Sequence, residues 1–161
     1  MNDSKTSDSR HLIAACFRKV LLLVALLGLP SLSLSAPLVV TADEVVVIVP
    51  TGSNIESLSK TGLRAIFGMR SRTWPQGGAI NVFVLEDDNP VHATFSKQIL
   101  QTFPFNLRRI WDRRVYSGTG QSPNVVKTEE EMRDKIAITK NSIGYISRNK
   151  IDTGVKLVNL Q

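Results

Sequence analysis

The sequence predicts an α/β layer fold built on a mixed, mostly parallel sheet flanked by helices. Three observations carry this expectation. Unbroken β-branched runs such as Val45 to Val49 alternate with segments whose apolar residues recur at helical spacing. Proline, glycine and Asx residues punctuate the junctions. The 161 residues are 42% apolar and 21% charged, the composition of an ordinary globular domain and not of a disordered tail or a repeat array.

Val45 to Val49, closed by Pro50, Thr51 and Gly52, reads as a strand buried on both faces, because a strand covered by helices has no solvated side to alternate with. From Ser59 to Phe67, the residues Leu63, Ile66 and Phe67 share one helical face, and Gly68 is a stop. Trp74 to Gly78 is turn chemistry, followed by a strand over Ile80 to Leu85. Asp88-Asn89-Pro90 supplies a cap and then proline at the first helical position, opening a helix to about Gln101 with Phe95, Ile99 and Leu100 inward. A further helix over Asn106 to Arg114 carries Leu107, Ile110 and Trp111 on one side. Thr128-Glu129-Glu130-Glu131 is a capping box that starts a helix to about Ile138. Strands at Ile143 to Ile146 and Val155 to Leu160 complete the set. Strands interleaved with helices require crossovers, which make at least part of the sheet parallel.

Residues 1–36 are expected to lie outside the fold. Lys5, Arg10, Arg18 and Lys19 lead into the apolar run Val20 to Leu29, then Pro30 and small residues to Ala36, the three-part pattern of a secretory signal peptide. The run is ten residues long, whereas a membrane-spanning helix needs about 20. Cuts after Ser35 and after Ala42 both fit, so cleavage is expected between residues 35 and 42, and a single domain over 43–161. Cys16, the only cysteine, leaves with the signal, and the mature chain is expected to be exported and to keep no membrane span. A cut after Ser35 removes four bases and two acids, lowering the formal charge from +6 to +4. Export sets nucleic acid aside and leaves a small anion or an envelope protein as the partner such a charge attracts. One cysteine and two histidines exclude a disulfide framework and a Cys/His zinc site, so neither metal nor cofactor is expected.

Ile66-Phe67-Gly68, Trp74 with its Gly-rich turn, Ile80-Asn81-Val82, Phe95-Ser96, Trp111, Gly118-Thr119-Gly120 and Ser142-Ile143-Gly144-Tyr145-Ile146 follow one another in this order. The succession resembles the second lobe of the substrate-binding subunit of phosphate ABC transporters, a type 2 periplasmic binding protein, over about Val45 to Lys150. The resemblance implies one periplasmic-binding-protein-like lobe without the second wall of a closing cleft, a periplasmic location, and a solute-binding role in transport. It also implies a phosphate site. In the family an arginine and an Asp-Gly-Ser-Gly-Thr segment, between a strand and a helix, turn N–H groups and hydroxyls toward the anion. Here the arginine position holds Leu85, the acid matches at Asp87, and the Gly-Ser-Gly-Thr positions hold Asp88, Asn89, Pro90 and Val91. Glu86, Asp87 and Asp88 put up to three carboxylates where an anion would sit. At about 4 Å each like charge costs on the order of 1 kcal/mol in water, and more where water is excluded. Pro90 also removes an N–H donor. The expectation is therefore a solute-binding-type module whose phosphate contacts are largely lost.

Ligand-binding candidates are Asn89 at this corner, Thr51, Gly52 and Ser53 after the first strand, and the loop Ser117, Gly118, Thr119 and Gly120. The glycines and hydroxyls of that loop suit either a small anion-binding nest or a tight connection. Arg108, Arg109, Arg113 and Arg114 form the densest basic cluster and are candidate partner-binding residues. The plainer reading is a solvated helix face on which Arg108 pairs with Asp112 at i,i+4 and Arg114 lays its stem over the core. The run Glu129 to Glu131 suits a helix N-terminus. Enzyme activity is not expected: His92, with Asp88 four residues before it, is the only histidine beyond the signal, and no spacing identifies a nucleophile. An adaptor or protein-interaction module in the cell envelope is the alternative to solute binding, and pairing of two chains to rebuild a cleft is a third reading.

Overall fold

Residues 44–161 are described by a computed structural model, and the signal-peptide reading of residues 1–36 falls outside them. The elements in chain order are β1 (Val45–Pro50), β2 (Ser57–Leu58), α1 (Lys60–Phe67), β3 (Asn81–Leu85), α2 (Pro90–Thr94), α3 (Pro104–Tyr116), β4 (Asn124–Val126), α4 (Glu129–Ile138), β5 (Ser142–Ser147), β6 (Val155–Leu157) and β7 (Asn159–Leu160). One sheet runs β4-β3-β5-β1-β6. β3 is parallel to β4 and β5, and β1 is antiparallel to both β5 and β6. Four strands therefore point one way and β1 the other, a mixed and mostly parallel sheet as the sequence predicts. β2 and β7 form a separate parallel pair.

The two faces of the sheet are read most simply on β5, every residue of which is buried. Successive side chains in a strand point to opposite faces. Gly144 faces α4, where a Cβ would stand 2.5 Å from Met132 Sδ and Ile136 Cδ1. Tyr145 faces the other helices: its ring stacks on Phe95 at 3.8 Å between centroids and tilts against Phe67 of α1 at 5.9 Å. Trp111 of α3 ties this layer together by donating its indole N–H to the Phe67 carbonyl at 2.7 Å. Each such fully buried large side chain contributes about 1.5–3 kcal/mol of apolar transfer energy.

Local sequence signals set the helix starts. Ser59 and Thr128 accept from Gly62 N and Glu131 N as side-chain caps. Glu131 returns the contact one residue further back than a standard capping box, accepting from Lys127 N at 2.9 Å. Asn89 caps Val91 N with Pro90 in the first turn. Departures from expectation are equally physical. The expected helix to Gln101 leaves α-geometry at Phe95, and Phe95–Ile99 is a π-helical turn closed by Leu100 N on the Phe95 carbonyl at 3.1 Å. Ile110 is 40% exposed, not inward, because only Leu107 and Trp111, spaced i,i+4 on α3, are buried in the core. The strand expected over Val155 to Leu160 divides at Val158, whose N–H still reaches Val47 O while Asn159 N turns to Glu56 O on the β2 side.

Gly144 is thus a packing requirement. Gly144→Ala is expected to overpack the α4 interface and lower the unfolding free energy by about 1–3 kcal/mol in a denaturant titration.

Candidate functional site

The corner between β3 and α2 is where the resemblance places phosphate, and here Asp87 and Asn89 are engaged by partners within the chain. Leu85 is fully buried. Asp87 is engaged by Arg108 of α3, whose Nε and Nη2 donate to its two carboxylate oxygens at 2.9 and 3.0 Å. This tertiary pair replaces the Arg108–Asp112 contact expected from helical spacing, and it leaves the Arg108 guanidinium 5.3 Å over the Trp111 ring. Asn89 spends its side-chain oxygen on Val91 N at 2.9 Å, and Asn89 N donates to Glu86 O at 3.0 Å. Neither Leu85 nor Pro90 offers a donor to an anion at this corner.

Behind the corner lies a buried polar relay. Leu85 N donates to the Tyr145 hydroxyl at 2.9 Å. That hydroxyl has one proton, which it gives to His92 Nδ1, so the imidazole is neutral and protonated at Nε2. His92 Nε2 faces Ser96 Oγ at 3.5 Å and Asp87 Oδ1 at 3.9 Å. The orienting acid is therefore Asp87 and not Asp88. Burial pushes the His92 pKa below its ordinary value, with the Asp87 carboxylate opposing and Arg108 adding to the fall. Burial likewise pushes the Tyr145 hydroxyl well above the usual phenol range, which keeps it a donor.

The sequence-predicted candidates fall in three separate places. Gly52 and Ser53 line a groove of about 460 Å³ with Trp74, Gln76, Lys140 and Asn141. Thr51 sits beside it, its hydroxyl donating to Thr153 O at 2.8 Å. Because β1 runs against β3, this groove lies at the opposite end of the sheet from Asn89. The loop after α3 is a helix terminator: Ser117 N, Gly118 N, Thr119 N and Gly120 N all donate back to carbonyls of Arg113, Arg114 and Val115, with Gly118 at φ +66°. Its N–H groups are committed to the helix and do not form a nest, while Ser117 and Thr119 still line a larger groove.

That larger groove, about 900 Å³, gathers Arg109, Arg113 and Arg114 of α3 with two arginines that sequence reasoning missed, Arg64 of α1 and Arg70 after it. Arg108 is turned away, to Asp87. Leu100, Leu107 and Ile110 supply its apolar surface, and no carboxylate lines it. Among the described residues none of these five arginines forms an ion pair. No residue spacing connects Arg64 with Arg109, and the signal that could have flagged the site is the absence of nearby acids at Arg64, Arg70 and Arg72. Among the described residues no group of three or more His, Cys, Asp or Glu side chains is arranged to hold a metal ion.

The relay makes stability depend on pH with a definite sign. A lowered folded-state pKa means that the unfolded chain takes up the His92 proton first, so this stability is fully present above about pH 6.5 and is lost as pH falls toward the folded-state value. Melting temperature is expected to drop between about pH 7.5 and about pH 5, and the drop should be smaller in His92→Gln.

No family model matches the chain, and no curated protein matches it by sequence. Solved structures do match by fold. An ABC-type phosphate transport receptor from Vibrio cholerae aligns at a TM-score of 0.59 and 16% identity, covering 73% of this chain and 46% of the receptor. A phosphate ABC transporter substrate-binding protein from Clostridium perfringens, with bound phosphate, gives 0.58 and 17% over 73% of this chain and 45% of its own. PstS from Borrelia burgdorferi gives 0.56 and 19% over 74% and 47%. The chain thus spans under half the length of each and shares the fold of that part.

Proposed function

We propose that this chain is an exported, non-enzymatic binding module of the solute-binding type that does not hold phosphate through the strand-to-helix corner. The observation that carries this is the Asp87–Arg108 pair: the one retained acid is bound by two hydrogen bonds to an arginine of the chain itself. The fold shared with phosphate transport proteins supports a binding role. The burial of His92, with Nδ1 engaged by Tyr145 and Nε2 facing Ser96, supports the non-enzymatic reading, because a general base must reach its substrate. Export rests on the basic, apolar and small-residue succession of residues 1–36. Among the described residues no helix is long and apolar enough to cross a membrane.

A second reading, an adaptor in the cell envelope, is favoured by the unpaired arginines of the larger groove, since charge complementarity steers and selects protein partners.

Two measurements test these statements. Calorimetric titration of the mature protein with inorganic phosphate is expected to give no heat; micromolar binding would overturn the reading of the corner. N-terminal sequencing of protein recovered from the cell envelope is expected to start at Ala36 or Asp43, and a chain still beginning at Met1 would overturn the export reading.

A further inference from the structure

We propose that the arginine groove is the docking site for an acidic, amphipathic polypeptide segment. The proposal deepens the binding-module reading by naming the chemistry of the partner, and its first support is charge accounting. Four bases elsewhere in the described chain pair with acids, Arg108 with Asp87, Arg148 with Glu44, Arg133 with Asp134 and Lys150 with Glu129 and Glu130, while single bases such as Lys127, Lys135 and Lys140 form no ion pair among the described residues. Arg64, Arg70, Arg109, Arg113 and Arg114 instead surround one concavity with no carboxylate on its wall. Like charges held together repel, and an anionic occupant relieves that repulsion.

One of these side chains is prepared for an acceptor. The π-helical turn turns the Leu100 carbonyl toward α1, where it accepts from Arg64 Nε at 2.9 Å. Gln101, in the left-handed region at φ +54°, accepts from Arg64 Nη2 with its side chain. The Arg64 fork is thereby fixed in orientation, and among the described residues its Nη1 makes no hydrogen bond, which lowers the entropy lost on binding a carboxylate. An arginine fork matches a carboxylate with two parallel hydrogen bonds.

The apolar half of the argument selects a polypeptide. Leu100, Leu107 and Ile110 line the groove, and beside its Thr102–Asn106 end Phe103 and Phe105 stack at 5.7 Å while 53% and 60% exposed. A mineral anion uses none of that surface, and a flat bilayer does not enter a concave groove. From the phenylalanines to Arg114 the strip follows α3 for about 15 Å, the length of about three turns of helix. An occupant that is apolar at one end and carboxylate-rich along its body fits it, in the manner of helix-in-groove recognition.

The experiment is fluorescence polarisation with the mature protein and a labelled helical peptide of Glu and Leu at amphipathic spacing. Its controls are the same peptide with Lys for Glu, poly-glutamate, phosphatidylglycerol vesicles and inorganic phosphate. The Glu/Leu peptide is expected to bind, and Arg70→Glu/Arg113→Glu, both at exposed positions, to weaken it at least about tenfold. Arg70→Ala/Arg113→Ala should give a smaller loss in the same direction. Lys127→Glu/Lys135→Glu, with the same net charge change outside the groove, should leave binding unchanged. Circular dichroism melts verify that each variant is folded. Absence of Glu/Leu binding, equal binding of the Lys peptide or of poly-glutamate, an equal loss in the Lys127/Lys135 variant, displacement by micromolar phosphate, or vesicle binding that the groove arginines control in place of peptide binding would each overturn the proposal. Phosphate heat that persists in Arg70→Glu/Arg113→Glu counts against the corner reading alone. Peptide binding that ignores every groove variant counts against the groove alone.

Discussion

A phenol hydroxyl buried in a sheet has one proton to give and must find partners for the rest, and Tyr145 resolves this by joining three elements at once. It accepts the last N–H of β3 and donates to His92 of α2 from its own place in the central strand β5. Leaving a buried donor or acceptor unpaired costs about 1–3 kcal/mol, so the relay holds α2 at one setting against the end of β3. The conformation of Glu86 to Pro90 follows from that setting. Asp87 then lies within reach of Arg108, and Phe95 lies flat on the Tyr145 ring. The corner that carries ligand chemistry in the resembling family is here part of the internal framework.

Charge is sorted across the surface with the same economy. The acidic first turn of α4 meets Lys150 beyond β5, and Glu44 meets Arg148, so the strand ends carry paired charge. The long side chains around α3 carry unpaired positive charge over apolar groups. An exposed ion pair contributes about 0–1 kcal/mol to stability. The sorting therefore matters less for folding than for what each face of the molecule attracts.

Legibility followed the range of the interaction. Asn89-Pro90 and Thr128 announce helix starts because a cap and its amide lie within a few residues of each other. The run at Val45 to Val49 announces a doubly buried strand for the same local reason. β4 was missed: three residues with two exposed give no period to read, and the strand exists because Val125 pairs with Val84. The π-helical turn was missed because no residue type marks it. Arg108 looks i,i+4-paired on paper, yet its partner lies 21 residues earlier.

What the sequence determined by itself was the type and order of most elements, since strand runs and caps are matters of neighbours in the chain. Only the tertiary structure decided which charges meet. It drew Arg108 to Asp87, set Thr51 to Ser53 at the end of the sheet away from Asn89, and brought Arg64 and Arg70 to the arginines of α3. The physical reason is that ion pairing and groove formation act through space at contact distance. Distance along the chain does not encode them.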